Sequence, residues 1–132
     1  MKTRTVNKAH YKNYLKKAEE FSSAMDSEFS KRNFNSCVLC AIHCGISSAD
    51  ALTVFFKGVR HAGERHEEVI GLINSLDIDR AVLKDKTRQL ASLLSVKNMV
   101  EYEERLTTES GALTAIKNAE RFFSFVKEML KR

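Results

Sequence analysis

Asn35-Ser36-Cys37-Val38-Leu39-Cys40-Ala41-Ile42-His43-Cys44-Gly45-Ile46-Ser47-Ser48-Ala49-Asp50-Ala51-Leu52, continued by Thr53-Val54-Phe55-Phe56-Lys57, carries apolar side chains around most of a helical circumference. One stripe is Val38, Ile42, Gly45, Ala49, Leu52 and Phe56; its neighbour is Cys37, Cys40 or Ala41, Cys44, Ser48, Ala51 and Phe55. A helix greasy on several sides is buried on several sides. The segment therefore predicts a central helix over about 35–57, enclosed by its own chain or also meeting a second subunit. Small residues at Ala41, Gly45, Ser48 and Ala49 suit close backbone approach, which makes a homodimer an expectation alongside a monomeric bundle.

On the N-terminal side, Tyr11, Tyr14, Leu15, Ala18, Phe21, Met25 and Phe29 recur in steps of three and four, with Lys12, Lys16, Lys17, Glu19 and Glu20 on the wet face. That is an amphipathic helix. Arg32-Asn33-Phe34-Asn35 reads as a turn with Asn33 or Asn35 as N-cap. On the other side Gly58 ends the central helix and opens the polar loop Val59-Arg60-His61-Ala62-Gly63-Glu64-Arg65. A short helix follows over about 66–76, favoured by Glu67 and Glu68 in its first turn. Asp77-Ile78-Asp79 begins another, with Leu83, Leu90 and Leu94, joined by Val82 and Leu93, on its core face, running to about Lys97 or beyond. The last starts near Thr108 and buries Ala112, Ile116, Ala119, Phe122, Phe123, Val126, Met129 and Leu130. No β-alternation is convincing. The expected fold is all-α: an antiparallel four-helix bundle with one additional short helix, forming a single domain over 1–132 in which 1–8 is a flexible lead.

Composition agrees. In 132 residues there is no proline and there are five glycines, which disfavours turn-dense all-β folds. No stretch reads as a bilayer-spanning run of about 18 apolar residues, and the basic start lacks the apolar region of a signal peptide. A cytoplasmic protein without a membrane partner is expected. Lysine and arginine exceed aspartate and glutamate by 22 to 17, a charge of +5, which biases the partner toward an anion. Three cysteines do not make a disulfide framework.

As letters, Cys37, Cys40 and Cys44 with His43 look like a metal set. The spacing falls inside a strong helix rather than on a tight knuckle, so they read as core thiols, with no metal and no cofactor. A haem or metal carrier is the class they would otherwise suggest. Gly58 and Gly63 bracket a loop that lacks the Lys-Ser/Thr of a nucleotide P-loop. His43, Ser47 and Asp50, at i, i+4 and i+7, share one stripe. They form either a buried polar network, or the narrow face left to solvent, or a device aiming Asp50 at the following loop, where it orients His66 or pairs with Arg60. Arg60 and His66 combine a phosphate-binding fork with a group that moves protons near neutral pH. Together they suffice for metal-independent RNA cleavage by 2′-hydroxyl attack; alternatively Arg60 is solvated and His66 packs at a helix start. Lys97, Asn98, Glu101 and Tyr102 form a polar cluster that is either a solvated helix end or a pocket wall facing the Arg60–His66 loop.

Taken in order, Tyr14-Leu15-Lys16-Lys17-Ala18-Glu19-Glu20-Phe21, the Asn35–Leu52 run, His66-Glu67-Glu68-Val69-Ile70-Gly71-Leu72-Ile73 and Ala112–Leu130 with Ala119-Glu120-Arg121-Phe122 resemble the HEPN superfamily of small helical bundles. The resemblance implies an antiparallel bundle that commonly dimerises around a shared cleft. It also implies an RNA-processing or toxin ribonuclease, often paired with a nucleotidyltransferase antitoxin, or an inactive binding module. Active relatives carry Arg, a polar residue such as Asn, and then His. The segment aligning with that motif is Lys97-Asn98-Met99-Val100-Glu101-Tyr102, where Lys97 stands for the arginine and Tyr102 for the histidine. A lysine still attracts phosphate, but tyrosine is a poor base at neutral pH. The expectation is thus an RNA- or nucleotide-binding protein whose ribonuclease site, if active, uses Arg60, His66 and Asp50, with Lys97, Asn98 and Tyr102 lining the pocket. The alternative is a non-catalytic module partnering a nucleotidyltransferase or a larger complex.

Overall fold

α1 (Tyr11–Ser30) lies along α2 (Phe34–Lys57) in the most extensive helix–helix contact of the chain. The turn between them follows from backbone chemistry. Arg32 takes the left-handed conformation, Asn33 N–H donates to the Glu28 carbonyl and Arg32 N–H to that of Phe29. This Schellman closure satisfies the last carbonyls of α1 and reverses the chain. Asn33 occupies the cap position of α2 without a side-chain capping bond. Asn35 instead accepts from the Thr107 N–H at 2.8 Å, tying the start of α2 to the approach of the last helix. The structure, a computed structural model, describes every residue except Met1, Glu64, His66 and Arg132.

The remaining helices are α3 (Glu67–Asn74), α4 (Arg80–Ser95), α5 (Lys97–Tyr102) and α6 (Glu109–Leu130). Thr108 caps α6 by accepting from the Gly111 N–H. The fold is all-α in its mass, and α2 contacts every other helix. One part of the core gathers Leu52, Ile73, Leu90, Phe122 and Val126; the other gathers Met25, Val38, Ile42, Leu93 and Phe123. α2 supplies both, which is why its sequence is apolar on more than one face. Gly45 sits where a Cβ would lie 2.9 Å from Leu93 Cδ1, so the small-residue face of α2 is taken up by α4. Ala41, Ser48 and Ala49 are likewise fully buried within the chain. These residues supply no argument for a second subunit.

Three expectations are corrected. α2 is, among the described residues, a helix long and apolar enough by composition to cross a bilayer (mean hydropathy 1.6), although no such stretch was expected; 72% of that window is buried inside the protein. The fourth helix does not run through Lys97: it ends at Ser95, and α5 begins two residues on. And strands exist. β1 (Thr3–Thr5) pairs antiparallel with β2 (Val59–His61), with Thr3 opposite His61, Arg4 opposite Arg60 and Thr5 opposite Val59. Segment 1–8, expected to be a flexible lead, thus carries an element, and the expected polar loop after Gly58 is half strand. The pairing is long-range and only three residues deep, too short to leave an alternating signature.

Candidate functional site

Gly58 sets the geometry of the site. It takes a left-handed conformation (φ +66°), its N–H donates to the Val54 carbonyl, and its carbonyl accepts from Val6. Helix α2 ends there and the chain folds back as β2, bringing Arg60 over the last turns of the helix it has just left. Arg60 Nε lies 3.5 Å from Asp50 Oδ2. That distance makes an ion pair rather than a good hydrogen bond, and the buried Nε has no hydrogen-bond partner. Asp50 is the more enclosed partner, with 8% of its side chain exposed against 31% for Arg60. Burial pushes the Asp50 carboxyl up to about 6, against the opposing pull of the Arg60 and Lys17 charges.

This pair stands between two cavities. The larger, of about 630 Å³, is a groove between α1 and α2 that collects His43, Ser47 and Asp50, the polar stripe of α2, together with Tyr14, Lys17 and Phe21 from α1. The stripe is therefore neither a sealed network nor a featureless solvent edge; it is the floor of a groove. The Tyr14 ring lies 5.7 Å from Lys17 Nζ and 5.9 Å from the Arg60 guanidinium carbon, both within cation–π range. Phe21 stacks on His43 with ring centroids 5.4 Å apart. The groove thus offers two cations and two aromatic faces, with the carboxylates of Glu20 and Asp50 in the same lining.

The smaller cavity, of about 210 Å³, lies on the other side of the pair. Arg4, Arg60 and His61 line it from the strands, and Ile46, Val69 and Leu90 are among the apolar residues beneath. His61 Nε2 is 3.3 Å from Glu68 Oε2, so this imidazole is held by a carboxylate of α3. Sequence reasoning passed over Arg4 and His61. Arg4 is in register with Arg60 only through the sheet, and His61 stood in a segment read as loop.

Of the expected catalytic group, Asp50 and Arg60 come together and His66 lies outside the described residues. The expected pocket wall does not assemble around them. α5 meets α2 at His43, whose Nε2 is 3.7 Å from Glu101 Oε1, seven residues before Asp50 and so about 10 Å down the helix. Lys97 Nζ is engaged 2.9 Å from Glu101 Oε2, and Glu101 is held below the usual glutamate range chiefly by that bond. Asn98 and Tyr102 are exposed, Tyr102 at 77%, and line neither cavity. The i, i+4 geometry that ties Lys97 to Glu101 turns Asn98 and Tyr102 to other sides of a helix less than two turns long.

Cys37 and Cys44 are buried in the core and Cys40 is half-buried. Burial raises all three thiols, Cys37 to about 11 and Cys44 to about 12. Among the described residues no three histidines, cysteines or acids are gathered for a metal ion. No protein-family model matches the chain, and a search of curated proteins finds no match.

Proposed function

We propose that this chain is a HEPN-like antiparallel four-helix bundle of the cytoplasm that binds RNA or a nucleotide in the groove between α1 and α2. The observation that carries the reading is the placement of Arg60, braced 3.5 Å from buried Asp50, beside Tyr14, Lys17 and Phe21. Phosphates are drawn by arginine and lysine, and bases stack on aromatic faces without demanding a sequence. Titration of labelled single-stranded RNA with the full chain tests it. Binding should weaken with salt, with a slope of about −0.7 per neutralised phosphate. Lys17→Ala or Arg60→Ala should each flatten that slope, and Phe21→Ala should weaken binding at every salt concentration. No binding at low salt, or binding indifferent to all three changes, overturns the reading.

The catalytic form of the proposal is a metal-independent endoribonuclease of toxin–antitoxin or RNA-processing type. Arg60 would hold the phosphate while the 2′-oxygen attacks it and the P–O5′ bond breaks. His66 would take the 2′-hydroxyl proton and return one to the departing 5′-oxygen, leaving a 2′,3′-cyclic phosphate and a 5′-hydroxyl, and Asp50 would position them. In that form Arg60→Ala and His66→Ala abolish cleavage while the fold persists; a folded protein that never cuts RNA in excess removes the catalytic role. A non-catalytic module is the second reading, favoured by the way His61 and His43 are each engaged by a carboxylate, Glu68 and Glu101. It expects co-purification with a nucleotidyltransferase or larger complex and little loss of function in His66→Ala. Homodimerisation belongs to the same proposal, and sedimentation of the full chain tests it.

A further inference from the structure

We propose that the smaller cavity is a separate binding site for a compact organic carboxylate: one apolar ring or short branched body carrying a single negative charge. Three features lead to this chemistry. The first is size. An apolar cavity of about 150 Å³ takes up benzene, so about 210 Å³ holds a ring of that kind with room for a carboxyl group. The second is polarity. Ile46, Ala49, Val69, Leu90 and Leu94 line its helical side, and Val69, Leu90 and Leu94 are core residues from α3 and α4, so that half of the lining favours an apolar body while the strand side is polar.

The third feature is charge. Arg4 and Arg60 are directly opposite across the β1–β2 pair, and both line the cavity. Like charges facing each other across a ribbon are unfavourable, and an anion between them relieves the repulsion. Arg60 Nε is enclosed against Asp50, and the rest of its guanidinium, on a side chain about one-third exposed, keeps N–H donors that such an anion can engage. Asp50 supplies one opposing charge in the same wall, and His61 is already turned to Glu68. Two arginines against Asp50 leave one net positive charge among the described lining residues, with the Glu68 carboxylate just behind His61 and Gly63. That matches a monoanion better than a phosphate dianion, which would crowd Asp50.

This site does not depend on the groove binding RNA. Arg4 and Ala62 line the cavity and not the groove, so their substitution separates the two. The test is calorimetric titration of the full chain with benzoate, benzyl alcohol and inorganic phosphate. Benzoate should bind with one-to-one stoichiometry, at least tenfold more tightly than either of the others. Arg4→Gln, on an exposed strand, should erase most of the preference of benzoate over benzyl alcohol. Ala62→Phe, at a half-buried position of the lining, should abolish benzoate binding while Phe21→Ala leaves it unchanged. Equal affinity for benzoate and benzyl alcohol, tighter binding of phosphate, no binding of benzoate, or benzoate binding that survives both Arg4→Gln and Ala62→Phe would each overturn the proposal.

Discussion

Arg60 Nε sits 3.5 Å from Asp50 Oδ2, so a strand residue just past the end of α2 is clasped by a carboxylate two helical turns back inside it. The clasp is asymmetric: the acid is buried and the base is one-third exposed. Water still reaches the guanidinium, and the carboxylate depends on it.

Stability should therefore carry the signature of Asp50. Its carboxyl titrates near 6 in the folded chain against an ordinary value of 3.8. A group that binds its proton more tightly when folded contributes most below the unfolded value, and that contribution is lost as pH rises through the folded one. The window is about pH 4 to 6, and a difference of this size amounts to ~3 kcal/mol at most. Asp50→Asn should remove that slope, so the variant gains on the parent by up to ~3 kcal/mol at pH 7.5 and matches it near pH 4. Urea unfolding at the two pH values checks this. A variant weaker than the parent at pH 7.5 would mean the ion pair outweighs the burial.

Arg60→Ala should do the reverse. It removes the nearest positive charge, drives the Asp50 carboxyl higher still, and steepens the loss of stability above pH 6. Because Arg60 is one-third exposed, a cost of ~1–2 kcal/mol at pH 7.5 is expected, less than for a fully buried pair. Near pH 4 the cost should shrink. An equal cost at both pH values would point to lost packing on Tyr14 instead.

Gly58→Ala should destabilise the chain and loosen the site together. A side chain at φ +66° is strained, and its Cβ would stand 3.2 Å from the Val6 carbonyl oxygen. The expected cost is ~1–2 kcal/mol, a drop in Tm of several degrees for a domain of this size. Amide exchange should rise in Thr3–Thr5 and Val59–His61, whose pairing depends on that turn. Protection that stays unchanged there would separate the turn from the ribbon.

The thiols should react in order of access. Thiolate is the nucleophile, and Cys37 and Cys44 are both buried and held protonated at about 11 and 12. At pH 8 iodoacetamide should modify Cys40 first and slowly, and the other two only in denaturant, as read by mass spectrometry of the peptides. Rapid labelling of all three in the native protein would contradict the core reading.

The helices were legible because amphipathic spacing is a local property. Tyr14, Ala18, Phe21 and Met25 announce α1 wherever it packs, and Phe122 to Leu130 do the same for α6. The doubly apolar α2 even announced its central position, since only a helix covered on several sides tolerates such a composition. The polar stripe His43, Ser47 and Asp50 was visible for the same reason, as was the option of Asp50 reaching Arg60. Tertiary structure alone decided the rest. That Arg4 faces Arg60 depends on hydrogen bonds between opposite regions of the chain, which no periodicity encodes. That His61 turns to Glu68 depends on where α3 docks. That Lys97 meets Glu101 while Tyr102 points to solvent depends on the rotation of a short helix about its axis, a property set by its neighbours and not by its letters.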